Sequence, residues 1–319
     1  MSVDFILDYK PLDLAMVLLP VFVLLAIVEI TAVYYLKIKT RHDTKEWFLN
    51  LFLGIASFPI NGLFGFITIA ALFWAKSYQI YSFPFTLTTL VICFILDDLR
   101  FYLHHRIVHR WRWGWGLHRV HHSSERMALD VGARQPWTKH FTGTMMLKVP
   151  LVLVGFDPIM VLLCGFVNAY YQFLLHTQTI WKLPAWFEYI FNTPSHHRVH
   201  HGKNPKYLDS NYAGTLIIWD RMFGTFVKED PKDLPDYGLG DPLNTYNPVR
   251  ILFGEYFNIF KDISKKGITL KDRFMYLFGP PGWSHDGTRK TSTQIKDCLL
   301  YTSDAADEGL GVDLGGRRI

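Results

Sequence analysis

Eight histidines fall in three tight sets. His105 and His109 lie four apart, His118, His121 and His122 follow at spacings of three and one, and His197, His200 and His201 repeat that pattern. On a helix, residues three and four apart project from one face, so each set can aim two or three imidazoles at one point. Neutral imidazole is the commonest nitrogen ligand for iron, copper and zinc. Eight such groups exceed what one tetrahedral zinc needs, and the count suits two metal ions sharing a site. A single i, i+4 pair is ordinary surface chemistry, and one His-x-x-His-His could be structural zinc. Two copies of it together with a His-x-x-x-His are hard to explain as solvated side chains. His104 and His196 each abut a candidate ligand and could support it or replace it. His176 is either a further ligand or an ordinary histidine where an apolar run ends. His42, His140 and His285 stand apart and are not expected to bind metal.

Short, firmly bounded helices must carry these sets. The stretch from Asp98 to Arg110 should continue an apolar helix past a membrane surface. Thr193-Pro194 offers an N-cap followed by proline at the first helical position, and Gly202 offers a stop directly after His201. Asp98, seven residues before His105, could accept a proton from a ligand imidazole, and Asn211 and Asp220 could do so for the third set. Each is equally readable as an ordinary cap or surface polar group.

Apolar runs account for most of the chain before residue 175. Leu12 to Leu36, Trp47 to Ala75, Phe83 to Leu96 and Met145 to Leu175 are such runs, the last interrupted at Phe156-Asp157-Pro158. A bilayer core needs roughly 20 apolar residues in a helix. The expectation is therefore an all-α integral-membrane bundle of three to four spans, at about 12–36, 47–75, 83–103 and 145–175, the last a hairpin or bent span. The first run is too long for a secretory signal. Lys37, Lys39, Arg41 and Lys45 lie between the first two runs, and Arg100, Arg106, Arg110, Arg112 and Arg119 follow the third. Both clusters can face the cytoplasm if runs two and three cross out and back. These charges flank spans, which disfavours nucleic acid as a partner. Trp111, Trp113, Trp115, Trp137, Trp181 and Trp186 flank the histidines as interfacial anchors would, putting a metal site near the cytoplasmic surface within reach of a lipid. Glu29, inside the first run, is a functional candidate, or it pairs with a buried group such as Asn61 or Asn168. Cys93, Cys164 and Cys298 lack metal-like spacing.

One membrane domain is expected over 1–297, with a cytoplasmic helical cap at about 104–144 and 176–250. Residues 253–278 read as short amphipathic helices on the interface. The end, 298–319, looks like a reading frame through a sequencing adapter and is left out of the fold.

Three stretches carry a family resemblance: Asp98-Leu-Arg-Phe-Tyr-Leu-His-His-Arg-Ile-Val-His109, Leu117-His-Arg-Val-His-His-Ser-Ser124, and Asn192-Thr-Pro-Ser-His-His-Arg-Val-His-His-Gly202 leading into Asn211-Tyr-Ala-Gly-Thr. With these the chain resembles the sterol desaturase and fatty acid hydroxylase superfamily of membrane di-iron enzymes, nearest its alkylglycerol monooxygenase branch. The resemblance implies that His105, His109, His118, His121, His122, His197, His200 and His201 hold two iron ions. It implies a further ligand at His176 and a motif arginine at Arg134. It also implies O2 as co-substrate and a lipid substrate such as a sterol, a fatty acyl chain or an alkylglycerol ether. Breaking an unactivated C–H bond is beyond any side chain, so that step belongs to the cofactor. Hydroxylation and desaturation both follow from such chemistry. The external electron donor it implies is a tetrahydropterin in the alkylglycerol branch and a cytochrome or ferredoxin chain elsewhere. No such domain is seen in the sequence, so the donor is expected to be separate. The rival reading is a histidine-rich membrane metal transporter or metal-binding protein. Transport sites lie near mid-bilayer within spans, whereas these histidines fall outside the apolar runs.

Overall fold

The computed structural model describes residues 43–298 and, before them, 24, 25, 27–29 and 31–35. Most of the expected first span at 12–36, and the expected tail at 298–319 apart from Cys298, lie outside the described residues. Among the described residues every regular element is a helix, and the only β pairing is three isolated bridges.

The longest helix, α1 (Thr44–Lys76, 33 residues), contains the expected second span. Asp43 starts it by accepting from the backbone N–H groups of Lys45 and Glu46. At 1.5 Å per residue it is about 50 Å long. It is the one helix among the described residues long and apolar enough to cross a membrane, and only 17% of its apolar window is buried inside the protein. Phe48, Phe52, Ile55, Phe58, Leu63 and Phe66 all lie exposed. A helix this apolar around most of its girth needs a non-aqueous surrounding.

The next helix, α2 (Leu87–Arg110), begins in a capping box made by Thr86 and Thr89. Its first turns carry exposed Leu87, Val91, Ile92 and Ile95, while Asp97, Asp98, Tyr102, His104, His105 and His109 are buried. The expected span at 83–103 is thus the first part of a longer helix. Asp97, Asp98 and Arg100 break its apolar run, so it does not match α1 in apolar length.

The fourth run is a hairpin. A 3-10 turn (Thr144–Lys148) leads into α5 (Val149–Val154), and α6 (Pro158–Leu174) returns, capped by Asp157. The reversal sits at Gly155, whose φ of +138° suits glycine. A Cβ there would stand 2.6 Å from the Tyr81 carbonyl oxygen. The chain from Arg134 to Phe156 follows α1 along its length. Trp137 Nε1 donates to Leu53 O at 3.1 Å, His140 Nδ1 lies 3.0 Å from Thr68 Oγ1, and Gln79 Nε2 donates to the carbonyls of Val152 and Phe156. Leu72, Ala75, Cys93, Val152, Phe156, Met160 and Cys164 close the far end as one apolar core.

The histidine-bearing part is built on α3 (Arg112–His122) and α8 (Pro194–His200), with short α4 (Leu129–Gly132), α7 (Ala185–Ile190) and α9 (Ile218–Met222) between and after them. Thr193 occupies the N-cap position of α8, but its hydroxyl caps nothing there; it donates to Glu188 Oε1 at 3.3 Å instead. Two further helices, α10 (Pro248–Ile263) and α11 (Leu270–Phe278), pack over α3.

Candidate metal centre

Nine buried or half-buried imidazoles converge from four segments and divide into two groups. His105 and His109 from α2, His118 and His122 from α3, and His200 from α8 form one, while His121, His176, His197 and His201 form the other. Within each group the candidate ligand atoms lie within 4.8 Å of one another. In the first, the Nε2 atoms of His105 and His118 are 2.8 Å apart, and His122 Nε2 is 3.0 Å from those of both His118 and His200. In the second, His176 Nε2 is 3.0 Å from that of His121 and 2.9 Å from that of His197, with His201 at 3.2 Å from His197. The groups touch, the rings of His122 and His201 stacking at 4.4 Å. Nitrogens at about 2.1 Å from one octahedral ion would stand about 3 Å from each other. Five nitrogens in one group exceed the four of a tetrahedral zinc shell, and an imidazole set suits iron, as it does copper, nickel and zinc.

The far side of the rings is set by backbone carbonyls. The Nδ1 atom of His105 lies 2.7 Å from Tyr212 O, that of His200 2.9 Å from Ser210 O, and that of His176 2.9 Å from Gln172 O. A carbonyl only accepts, so each Nδ1 carries the proton and each Nε2 lone pair faces the group. His109 Nδ1 stands 3.5 Å from the Asp209 carboxylate. Burial, then neighbouring imidazoles, push His118, His122, His197 and His201 well below their usual range. Burial brings His176 to about 4 against the opposing pull of the Phe173 and Gln172 carbonyls. These groups are neutral at neutral pH, the state a metal requires.

Residues 90–225, which contain all nine histidines, match the fatty acid hydroxylase family. The chain belongs to the fatty acid hydroxylase superfamily. It is 33% identical to the alkylglycerol monooxygenase of Homo sapiens over 267 residues, covering 83% of this chain and 58% of that protein. It is 40% identical to that of Xenopus tropicalis over 193 residues, covering 60% and 42%. An ornithine lipid hydroxylase of Rhizobium tropici is 29% identical over 153 residues, covering 47% and 45%. The chain thus spans about half the length of these curated relatives. No solved structure matches it.

Several expected partners act on this site at one remove. Asp98 does not reach an imidazole. It accepts from the N–H groups of Thr215 and Leu216, from Trp219 Nε1 and from Asn168 Nδ2, all within 2.6–2.9 Å. Asp220 accepts from the N–H groups of Tyr212 and Ala213 and from Thr225 Oγ1. Asn211, at φ +53°, bonds His196 O and both backbone groups of Val227. The three carboxylate and amide groups therefore pin the loop whose carbonyls orient His105 and His200. Gly214 lets that loop close on α2: a Cβ would fall 2.4 Å from Asn168 Oδ1 and 2.8 Å from Asp98 Oδ1.

Arg134 ties the end of α3 to α1, donating to Val120 O, Ser123 Oγ and Asn50 Oδ1. His104 and His196 are buried but stand outside both groups. His104 lies near Asp97 and Arg100, and His196 meets the Phe226 ring. His140 and His285 bond Thr68 and Tyr276, and His42 lies outside the described residues. Glu29 is buried, and its partner is neither Asn61 nor Asn168: Oε2 accepts from Leu129 N at 2.6 Å, at the start of α4. Trp115 packs beside His109 and His122, while Trp181 and Trp186 are exposed. Sequence reasoning missed Asp209, Ser210 and Tyr212. Two of these act through carbonyls, which every residue has, so no residue type could signal them.

Proposed function

We propose that this chain is an O2-dependent lipid oxygenase with two iron ions. It would hydroxylate, or desaturate, an unactivated C–H bond of a membrane lipid such as an alkylglycerol ether, a sterol or a fatty acyl chain. One observation carries this reading: nine imidazoles, gathered together in the interior, offer five nitrogens to one ion and four to a second. The relatives named as alkylglycerol monooxygenases and as an ornithine lipid hydroxylase support a lipid substrate.

His105, His109, His118, His122 and His200 would hold one iron, and His121, His176, His197 and His201 the other. Iron supplies the O2 reduction and C–H cleavage that no side chain performs. The chain's own residues do the rest. The carbonyls of Tyr212, Ser210 and Gln172 hold protons on Nδ1 and keep each Nε2 free. Asp209 accepts at His109 Nδ1. Burial keeps bulk water away, which strengthens every interaction inside. Two electrons and two protons must arrive from outside, from a reduced tetrahydropterin or a separate cytochrome or ferredoxin chain.

The enzyme would be a multi-pass membrane protein with its metal site on the cytoplasmic side. The lipid-compatible surface of α1, the hairpin alongside it, and the basic residues at 37–45 and 100–119 support that placement. The purified full-length protein is expected to hold about two irons per chain and to consume O2 only with a reductant. Lipid profiling of an expressing host, with and without His200→Ala, identifies the product. One tight zinc per chain with no redox activity overturns the reading.

A further inference from the structure

The family match ends at residue 225, yet α10 and α11 present a surface of their own. On α10, Phe257 and Phe260 are 58% and 52% exposed; on α11, Leu270, Phe274 and Phe278 are 84%, 59% and 48% exposed. Spacings of three and four put each set on one stripe. The opposite faces are filled: Ile251, Leu252, Tyr256, Ile259 and Tyr276 are buried. The two stripes meet over the start of α3, where Trp113 contacts the Phe260 ring at 6.4 Å and Trp111 stacks on Phe278 at 5.9 Å. Beyond those two contacts the stripes remain exposed among the described residues.

Charge is sorted the same way. Glu255 turns inward to Arg112 and Arg119, and Asp262 to Arg112, Lys265 and Arg289. Arg250, Lys261, Lys266 and Lys271 are left exposed. The pair also sits at a defined level. Tyr246, just before α10, hydrogen-bonds Asp43, the residue that starts α1. Leu49 and Leu53 of α1 pack with Ile251 and Leu252. The start of α10 therefore lies beside the beginning of α1, where Phe48, Phe52 and Ile55 are exposed.

The geometry points to α10 and α11 as a membrane foot, whose aromatic stripes enter the interfacial layer of an anionic leaflet beside α1. The inference rests on the reading of α1 as a membrane span. Aromatic rings with a cationic rim are the composition that binds such a surface. The same rim argues against a second copy as occupant, since two cationic borders would repel.

Spin labels test it in the full-length protein in nanodiscs with anionic lipid, carrying Cys298→Ser; Cys93 and Cys164 are buried. Labels go on Phe257→Cys and Phe274→Cys. Leu63→Cys on α1 serves as the bilayer control and Lys232→Cys on an exposed loop as the water control. At the two foot positions the ratio of O2 to water-soluble nickel accessibility is expected to exceed that at Lys232→Cys by about tenfold. Lys261→Glu with Lys266→Glu and Lys271→Glu should reduce that ratio at moderate salt. Foot labels as wet as Lys232→Cys, with Leu63→Cys immersed, sink the foot alone. A wet Leu63→Cys sinks the membrane reading. Foot labels shielded from both relaxants and dipolar-coupled to one another between chains would show a second copy there and overturn the assignment.

Discussion

His176 shows how a single residue can complete a site that histidine spacing alone does not announce, though the family resemblance pointed to it. It has no histidine three or four positions away, and only the fold brings its Nε2 to 2.9 Å from that of His197. Without it the second group falls from four nitrogens to three. His176→Ala is expected to lower iron from about two toward about one per chain, with a loss of 10–100-fold in activity. Metal analysis with Mössbauer spectra checks this, and unchanged iron content would remove His176 from the site. The neutral state of these rings has a second consequence. In the metal-free protein His118, His201 and His176 resist protonation, His176 down to about 4, while unfolded histidines take up protons below about pH 6.5. The unfolded state then binds more protons, so stability rises with pH and is lost as pH falls from about 6.5, by up to about 1.4 kcal/mol per pH unit for each such histidine. Denaturation midpoints of the metal-free protein that stay flat between about pH 7.5 and about 5.5 would contradict this.

At the scale of elements, the histidine sets and the apolar helices were readable because both are local. Spacings of three and four on α2, α3 and α8 announce which rings share a face, and the apolar run at 47–75 announces α1. The break at Phe156-Asp157-Pro158 announced a hairpin or a bent span, and the fold makes it a hairpin. The work of Asp98 was not readable, since its partners Thr215 and Leu216 lie 117 and 118 residues away. Spacing along α2 suggested an imidazole partner, whereas the folded helix offers this carboxylate to a loop. The apolar length of α2 was overestimated because Asp97 and Asp98 interrupt it while serving that inner face. Removing one oxygen from Asp98 tests the role. Asp98→Asn keeps the shape but turns an NH2 group toward buried N–H donors that have no other acceptor. The expected cost is about 2–4 kcal/mol of stability, with weaker iron retention because the Tyr212 carbonyl no longer holds His105 firmly. Urea midpoints and iron retention during dialysis measure the two effects. Asp241→Asn, on an exposed loop, should change neither. Loss of stability with iron retention intact would separate Asp98 from the site.

Across the whole molecule, the two imidazole groups are where otherwise separate segments are joined. The end of α2, the end of α3, the residue beyond α6 and the end of α8 all deliver rings to one volume. Without metal, that volume holds nine rings, several of whose Nε2 atoms face one another at 2.8–3.2 Å. Two ions would replace those close approaches with bonds and cross-link four parts of the chain. A ligand that binds only the folded state stabilises it by about 4 kcal/mol at a thousandfold excess over its dissociation constant. For a chain of this size two such ions correspond to a rise in melting temperature on the order of 12 °C. Stripping the detergent-solubilised protein with a strong chelator should lower the midpoint by that order, and ferrous iron, but not magnesium, should restore it. The hairpin core around Val152 and Met160 lies at the far end of α1 and has no part in the groups, so a variant there such as Met160→Ala should lower both midpoints and leave the gap between them intact. Midpoints that coincide with and without chelator would mean that the rings are held by the fold alone and that no ion joins the four segments.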